Sequence, residues 1–270
     1  MADLLACKPL VARVQWDLGI SDKLAFAWCP TDRAVGRQYD LCTMSKGAAS
    51  VLTNASYTAG KFGLAENFVA ASSTKHTWPD KPAWDLNSTG FTICLLIKPL
   101  GGAASLSPFG KISSVGWLIR QNTAFDILMD NAGAFKGATA NYVQGKWYQL
   151  FFQFDKTNVW SIMNGVRSAN TAATAPGADA TGLQVGTAST FYTTSEIAGA
   201  FIWRRVLGKS EINALQRDPW LPVRPGGVMA MSDLSGQGFL GSAAGPGPAA
   251  APVLGFRRTA LCNPSMILGR

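Results

Sequence analysis

Hydrophobic and polar positions alternate most clearly between Lys146 and Ser168, in KWYQLFFQFDKTNVWSIMNGVRS. Tyr148, Leu150, Phe152 and Phe154 fall on one face at period two, and Trp147, Gln149, Phe151 and Gln153 fall on the other. The first face reads as core and the second as half polar. A turn around Lys156 to Asn158 leads to a second strand, Val159 to Met163, which runs into Asn164-Gly165. That dipeptide suits a tight primed turn, because both of its central residues take φ > 0. The pattern predicts an antiparallel hairpin.

Strand-like runs recur along much of the chain. Leu24 to Trp28 alternates and stops at Pro30, and Lys61 to Ala70 carries Phe62, Leu64 and Phe68 at even spacing. Phe91 to Ile97, FTICLLI, is nearly all apolar and predicts a central strand covered on both faces. Phe109 to Ser113, Gly116 to Gln121 and Ala124 to Met129 follow as a meander, and Leu183 to Gly186 and Ile197 to Trp203 complete the set. Such spacing predicts an all-β fold, a two-sheet antiparallel sandwich. Between Ser72 and Ser88 the prolines Pro79 and Pro82 predict an ordered crossing without regular pairing. One helix is predicted over residues 210–217, SEINALQR, with Ser210 as its cap, Glu211 on the positive end of the dipole, and Asp218-Pro219 as its stop.

Composition adds a boundary. From Val223 to Arg270 glycine, alanine and proline dominate, as in GSAAGPGPAAAP, and such a segment cannot build a core. The expected organisation is a lead-in over 1–23, a sandwich over 24–222 and an extended C-terminal arm over 223–270. The arm is expected to be disordered alone and to order against a neighbour by burying Phe239, Leu254, Phe256 and Ile267. With 47% hydrophobic and only 15% charged residues, the chain suits a component covered by neighbours in an assembly. The net charge of +8 is scattered, with Arg204-Arg205 and Arg257-Arg258 the only Arg-Arg pairs, which argues against a specific nucleic-acid partner. The five cysteines, Cys7, Cys29, Cys42, Cys94 and Cys262, lack zinc-site spacing and read as small buried hydrophobes of a chain made in a reducing cytoplasm. The start MADLLACKPLVARV does not read as a signal peptide, and no apolar run reaches the ~18 residues of a membrane span, so no membrane insertion is expected.

The hairpin, together with EIAGAFIWRRVLGKSEINALQRDPW from Glu196 to Trp220, resembles a known family. This is the laminin-G-like, concanavalin A-like and pentraxin-type jelly-roll domains, in the form found in bacteriophage and prophage structural proteins. YDL at Tyr39 to Leu41 and the KFGLAENF strand fit the family's opening, and the likeness spans Leu24 to Trp220. It implies two curved antiparallel sheets packed face to face, often used to bind glycans or proteins, and by itself implies no activity. The arm after Pro222 has no counterpart in such a domain.

Candidate chemistry is sparse. The nearest calcium candidates are Asp126, Asp130 and Asn131, too few oxygens for an ion that takes six to eight, so no metal and no cofactor is expected. The three glutamates, Glu66, Glu196 and Glu211, lie far apart, and no ExDxE run is present. Asp126 and Asp130 on one strand would stand about 13 Å apart. That is beyond the ~5–9.5 Å of glycoside hydrolysis. His76, the only histidine, reads as a surface or loop-bracing residue. For glycan binding, which needs flat rings and amides, the candidates are Trp117, Tyr142 and Tyr192 with Asn131 and Asn141; each aromatic is equally readable as core or loop packing.

These observations predict a non-catalytic phage virion structural protein, a capsid decoration or tail-associated component made in the host cytoplasm. Its expected partners are other virion proteins, reached through the terminal segments, and further copies of itself, for instance in a trimer. The alternative is a carbohydrate-binding module for adsorption to host surface glycans, and a polysaccharide hydrolase is the third reading.

Overall fold

The computed structural model describes residues 14–30, 38–42, 45–49, 56–101, 106–113, 115–129 and 135–223, without the side chains of 38, 39 and 45–49. All belong to the first of the two units into which the chain divides, Met1–Gly226. Asp130, Asn131 and, of the expected arm, residues 224–270 lie outside the described residues.

In chain order the strands are β1 (Leu24–Trp28), β2 (Gln38–Asp40), β3 (Ser45–Ala49), β4 (Ser56–Gly60), β5 (Gly63–Phe68), β6 (His76–Trp78), β7 (Phe91–Pro99) and β8 (Leu106–Lys111). β9 (Trp117–Gln121), β10 (Phe125–Leu128), β11 (Phe135–Lys136), β12 (Tyr148–Phe154), β13 (Asn158–Met163), β14 (Val166–Arg167) and β15 (Thr171–Ala172) follow. β16 (Leu183–Val185), β17 (Thr187–Ala188), β18 (Phe191–Tyr192) and β19 (Ser195–Trp203) precede a single described α-helix, α1 (Lys209–Arg217). The first sheet runs β14-β13-β12-β7-β19-β5-β4, with β1 added on β19 and β15 on β13; the second runs β11-β10-β9-β8-β16-β6-β3-β2. Every pairing is antiparallel within these sheets, as in β7 with β12 and β19, and in β8 with β9 and β16. This is the all-β, two-sheet antiparallel sandwich that the alternation predicts, jelly-roll-like as the resemblance implies.

The sheets meet over a core of large side chains. β7 contributes Phe91, Ile93, Leu95 and Ile97 and β12 contributes Leu150, Phe152 and Phe154, facing Phe109, Trp117, Ile119, Phe125, Ile127, Leu183 and Val185 of the second sheet. The other face of the first sheet is buried as well. Cys94, Leu96, Phe151, Phe201 and Trp203 pack beneath Ile212 and Leu215 of α1, Trp220, Val223 and Ile20. The half-polar face expected for β12 is therefore an interior: Gln149 and Gln153 are 4% and 3% exposed. Their carboxamides fasten the cover, with Gln149 Nε2 donating to the Leu215 carbonyl (2.8 Å), Gln153 Nε2 to the Leu207 carbonyl (2.9 Å), and Trp160 Nε1 donating to Gln153 Oε1 (3.0 Å). Residues 14–23, expected as a lead-in, also close this layer: the Gln15 amide donates to the Pro222 carbonyl, and Val14 and Leu18 pack beside Ile20.

Local readings hold where the signal is backbone geometry. Asn164 and Gly165 take φ of 47° and 88°, as a primed turn requires. α1 starts one residue earlier than predicted, with Gly208 as N-cap, so Ser210 sits inside the first turn and does not cap. The Glu211 carboxylate sets this start by accepting the Gly208 amide (2.8 Å) while pairing with Arg205 (2.6 Å). Phe62 belongs to the turn before β5 and packs in the outer layer, whereas Phe68 faces the inter-sheet core. The crossing between Ser72 and Ser88 contains a regular strand, β6, because both prolines lie beyond its last residue.

Candidate functional site

Cross-strand partners in a sheet send their side chains to the same face. Register therefore draws one row across the outward face of the second sheet: Thr77 opposite Gln184, Gln184 opposite Gly110, Gly110 opposite Leu118, Leu118 opposite Leu128, and Leu128 opposite Phe135. Their chain neighbours Trp78, Val185, Phe109, Ile119 and Ile127 point inward to the core, which fixes the row as outward. Thr77, Gln184, Leu128 and Phe135 are half-buried. The row combines a hydroxyl, a carboxamide, aliphatic surface and an aromatic ring.

A small hairpin, β17–β18, lies over its centre. A Cβ on Gly110 would come within 2.7 Å of Leu118 Cβ and 2.8 Å of Ala188 Cβ, so only glycine lets the hairpin approach β8 this closely. Gln184 Oε1 accepts the Ser189 amide (3.1 Å) and anchors the hairpin's tip. Phe191 pairs with Ala188, emerges from the same hairpin face and is 45% exposed. It is the exposed aromatic at the rim of the row.

Beside the row, Arg120 and Asp126 are cross-strand partners. Arg120 Nε and Nη2 donate to Asp126 Oδ1 (2.9 Å) and Oδ2 (2.5 Å), and the guanidinium lies 3.5 Å from the centre of the Phe135 ring. Desolvation raises the Asp126 pKa from its ordinary value, with the Arg120 hydrogen bonds and charge acting against that rise. This carboxylate is engaged, and Asp130 and Asn131, its companions as calcium candidates, fall outside the described residues. Among the described residues no group of three or more His, Cys, Asp or Glu side chains could hold a metal ion.

The aromatic candidates separate. Trp117 is fully buried, with its Nε1 donating to the Trp84 carbonyl (3.0 Å) and its ring edge-on to Phe109, so it offers no face to a sugar. Its period-two position on β9 points inward, and Leu118 and Arg120 take the outward places. Tyr142 is half-buried against Phe125 (ring centres 4.9 Å) and closes one end of the inner core, while Asn141 beside it is exposed. Tyr192 is half-buried with the Lys75 ammonium 5.7 Å from its ring centre. Gln121 holds the segment of Tyr192: its Oε1 accepts the hydroxyl of Thr193, the next residue (3.0 Å).

His76 is an interior residue, 1% exposed, and not a surface or loop-bracing one. Its Nε2 lies 2.8 Å from Glu66 Oε2, joining β6 of one sheet to β5 of the other among the rings of Trp28, Phe68 and Trp78. Glu66 Oε1 and His76 Nδ1 have no hydrogen-bond partner. Each of the other two glutamates is paired, Glu196 with Lys98 (3.2 Å) and Glu211 with Arg205.

No family model and no curated protein matches the chain. Solved structures do. Domain 4 of AbnA, a GH43 extracellular arabinanase from Geobacillus stearothermophilus in complex with arabinotriose, is similar at 17% identity with a TM-score of 0.58, over 72% of this chain and 98% of that one. The binding domain of Paraclostridial Mosquitocidal Protein 1 gives 13% identity and a TM-score of 0.56, over 73% of this chain and 52% of that one. Trypanosoma rangeli sialidase in complex with sialic acid gives 14% and 0.52, over 72% of this chain and 33% of that one. The chain thus spans about half of the toxin binding domain and a third of the sialidase. At these identities what is shared is the fold, an antiparallel β-sandwich.

Proposed function

We propose that residues 14–223 form a non-catalytic carbohydrate-recognition module, carried on a bacteriophage virion by its terminal segments. One observation carries the reading: the first sheet's outward face is sealed by α1 and Trp220, whereas the second sheet's presents the row from Thr77 to Phe135 with Phe191 exposed at its rim. A sugar is bound by an aromatic or aliphatic floor for its C–H face and amides or hydroxyls for its O–H groups, and this row supplies both. Glycan-associated proteins among the structural neighbours, one solved with arabinotriose and one with sialic acid, support the same reading. The paired state of all three glutamates and of Asp126 favours binding over hydrolysis.

The virion setting rests on the resemblance, the low charge density and the composition of residues 223–270. Next to the last described residue at each end, Gln15 and Pro222 are joined by a hydrogen bond on the sealed side. Attachment through these segments, to other virion proteins or to further copies of the chain, leaves the row of the second sheet facing outward. A glycan array tests recognition. The full chain should retain a defined glycan class, and Phe191→Ala should weaken retention at least tenfold with unchanged melting temperature, whereas Gln184→Ala, which also releases the hairpin's tip, should weaken retention with a small loss of stability. Silence of the full chain on bacterial surface glycans, with the protein located by electron microscopy inside a particle lattice, would replace this reading with a purely structural one.

A further inference from the structure

Lys111 ends β8 with its side chain fully buried. An ammonium in such a place is tolerated only if its three protons and its charge are met. They are. Nζ donates to Asp85 Oδ1 (2.5 Å), to Asp80 Oδ1 (2.9 Å) and to the Asp179 carbonyl. The first two oxygens come from the segment after β6, and the third from the segment before β16.

The arrangement extends beyond the ammonium. The Asp179 carboxylate accepts the amides of Ser113 (2.7 Å), Val115 (3.3 Å) and Thr181 (2.8 Å), as well as the hydroxyls of Ser113 and Thr181. Asp179 also donates its own amide to Asp85 Oδ1 (3.3 Å). The segments after β6, after β8 and before β16 are thereby tied at one point. These are the strands that carry Thr77, Gly110 and Gln184 of the outward row. Two carboxylates and a backbone carbonyl are oxygen donors of the kind a hard divalent cation takes, which would complete its six to eight ligands with water. Here a cation is already present, covalently tethered to the chain.

We infer that Lys111 is a built-in structural cation, holding these three segments in the manner of a bound metal and making their order independent of calcium. Where the carbohydrate reading of the outward row holds, on which this clause alone rests, glycan binding is likewise unaffected by chelators. The test reads thermal unfolding of the full chain, so it does not depend on finding a glycan.

Wild-type protein should melt at the same temperature in EDTA and in millimolar calcium or manganese chloride. Lys111→Ala leaves the oxygens facing an empty space, and should melt about 10 °C lower, because the largely enclosed Asp85 carboxylate loses its cation and an unpaired buried charge is strongly destabilising. Part of that loss should return on adding calcium, manganese or ethylammonium. Lys111→Met fills the space without a charge and should be destabilised with no rescue. If Lys111→Ala does not fold, Asp80→Asn, whose side chain is 39% exposed, takes its place and should melt lower than wild type by a few degrees. The inference is overturned if wild type responds to EDTA or calcium, if Lys111→Ala melts like wild type, if none of the three cations restores it, or if Asp80→Asn is unchanged.

Discussion

The two outward faces of the sandwich follow the same strand periodicity and end differently. On the first sheet, Phe201, Trp203 and Phe151 are covered by α1 and Trp220, and the carboxamides and indoles brought inside are answered: Gln153, Gln149 and the indoles of Trp160, Trp203 and Trp220 all make hydrogen bonds. On the second sheet the small β17–β18 hairpin covers Gly110 and Leu118, while Thr77, Gln184, Leu128 and Phe135 stay partly open. A sheet face with large apolar side chains has to be buried; one with mixed side chains can remain a surface. The difference separates the side that holds the fold from the side available to a ligand.

The contrast can be broken most strongly from the sealed side. Trp220 is 1% exposed, sets its ring at a tilt against Phe201 (ring centres 6.0 Å) and donates its Nε1 to the Phe62 carbonyl. Trp220→Ala should cost about 3–5 kcal/mol in urea unfolding. A cost below ~1 kcal/mol would mean that the cover is loosely held. Gln153→Leu on the same side should cost about 1–3 kcal/mol, because it leaves the Trp160 N–H and the Leu207 carbonyl unanswered in an interior. Equal stability of this variant would show that the carboxamide is replaceable packing.

On the open side, Gly110→Val should cost about 1–3 kcal/mol by overpacking against Leu118 and Ala188. It should also detach the hairpin, read as faster amide exchange at residues 187–192, and an unchanged exchange pattern would count against the hairpin's seat on β8. The smallest effect is one of pH, and its sign differs between the faces. Hydrogen bonds from Arg205 hold the Glu211 pKa below its ordinary value, so this group's stabilisation is present above the usual carboxylate range and is lost as pH falls through the lowered pKa. Desolvation raises the pKa of Asp126, so its contribution is present at low pH and is lost as pH rises through the raised value. Melting temperature followed against pH should therefore show the gap between wild type and Glu211→Gln closing on acidification, while Asp126→Asn removes a dependence of opposite slope.

Much of this was legible in the chain. The face assignments of Tyr148, Leu150, Phe152 and Phe154, the buried run from Phe91 to Ile97, and the Asn164-Gly165 turn follow from period two and turn chemistry, which neighbouring residues set. The site was less legible. Trp117 and Leu118 differ by one position, and only the side on which the other sheet lies decides which of them meets solvent. Gln184 and Gly110 carry no local signal, because β16 pairs with β8 and β6, strands more than seventy residues upstream, and no local pattern encodes that neighbourhood. His76 looked like a loop residue among prolines, and its partner Glu66 belongs to the other sheet.

The sequence alone determined that this protein is built of antiparallel strands with one short helix, because alternation, turn dipeptides and helix stops act over a few residues. Tertiary structure alone decided which outward face is sealed, where the Glu66–His76 pair crosses the core, and how Lys111 came to be enclosed by Asp80, Asp85 and Asp179. Those outcomes depend on which distant segments pack together, and a side chain's burial and charge environment exist only once they have done so.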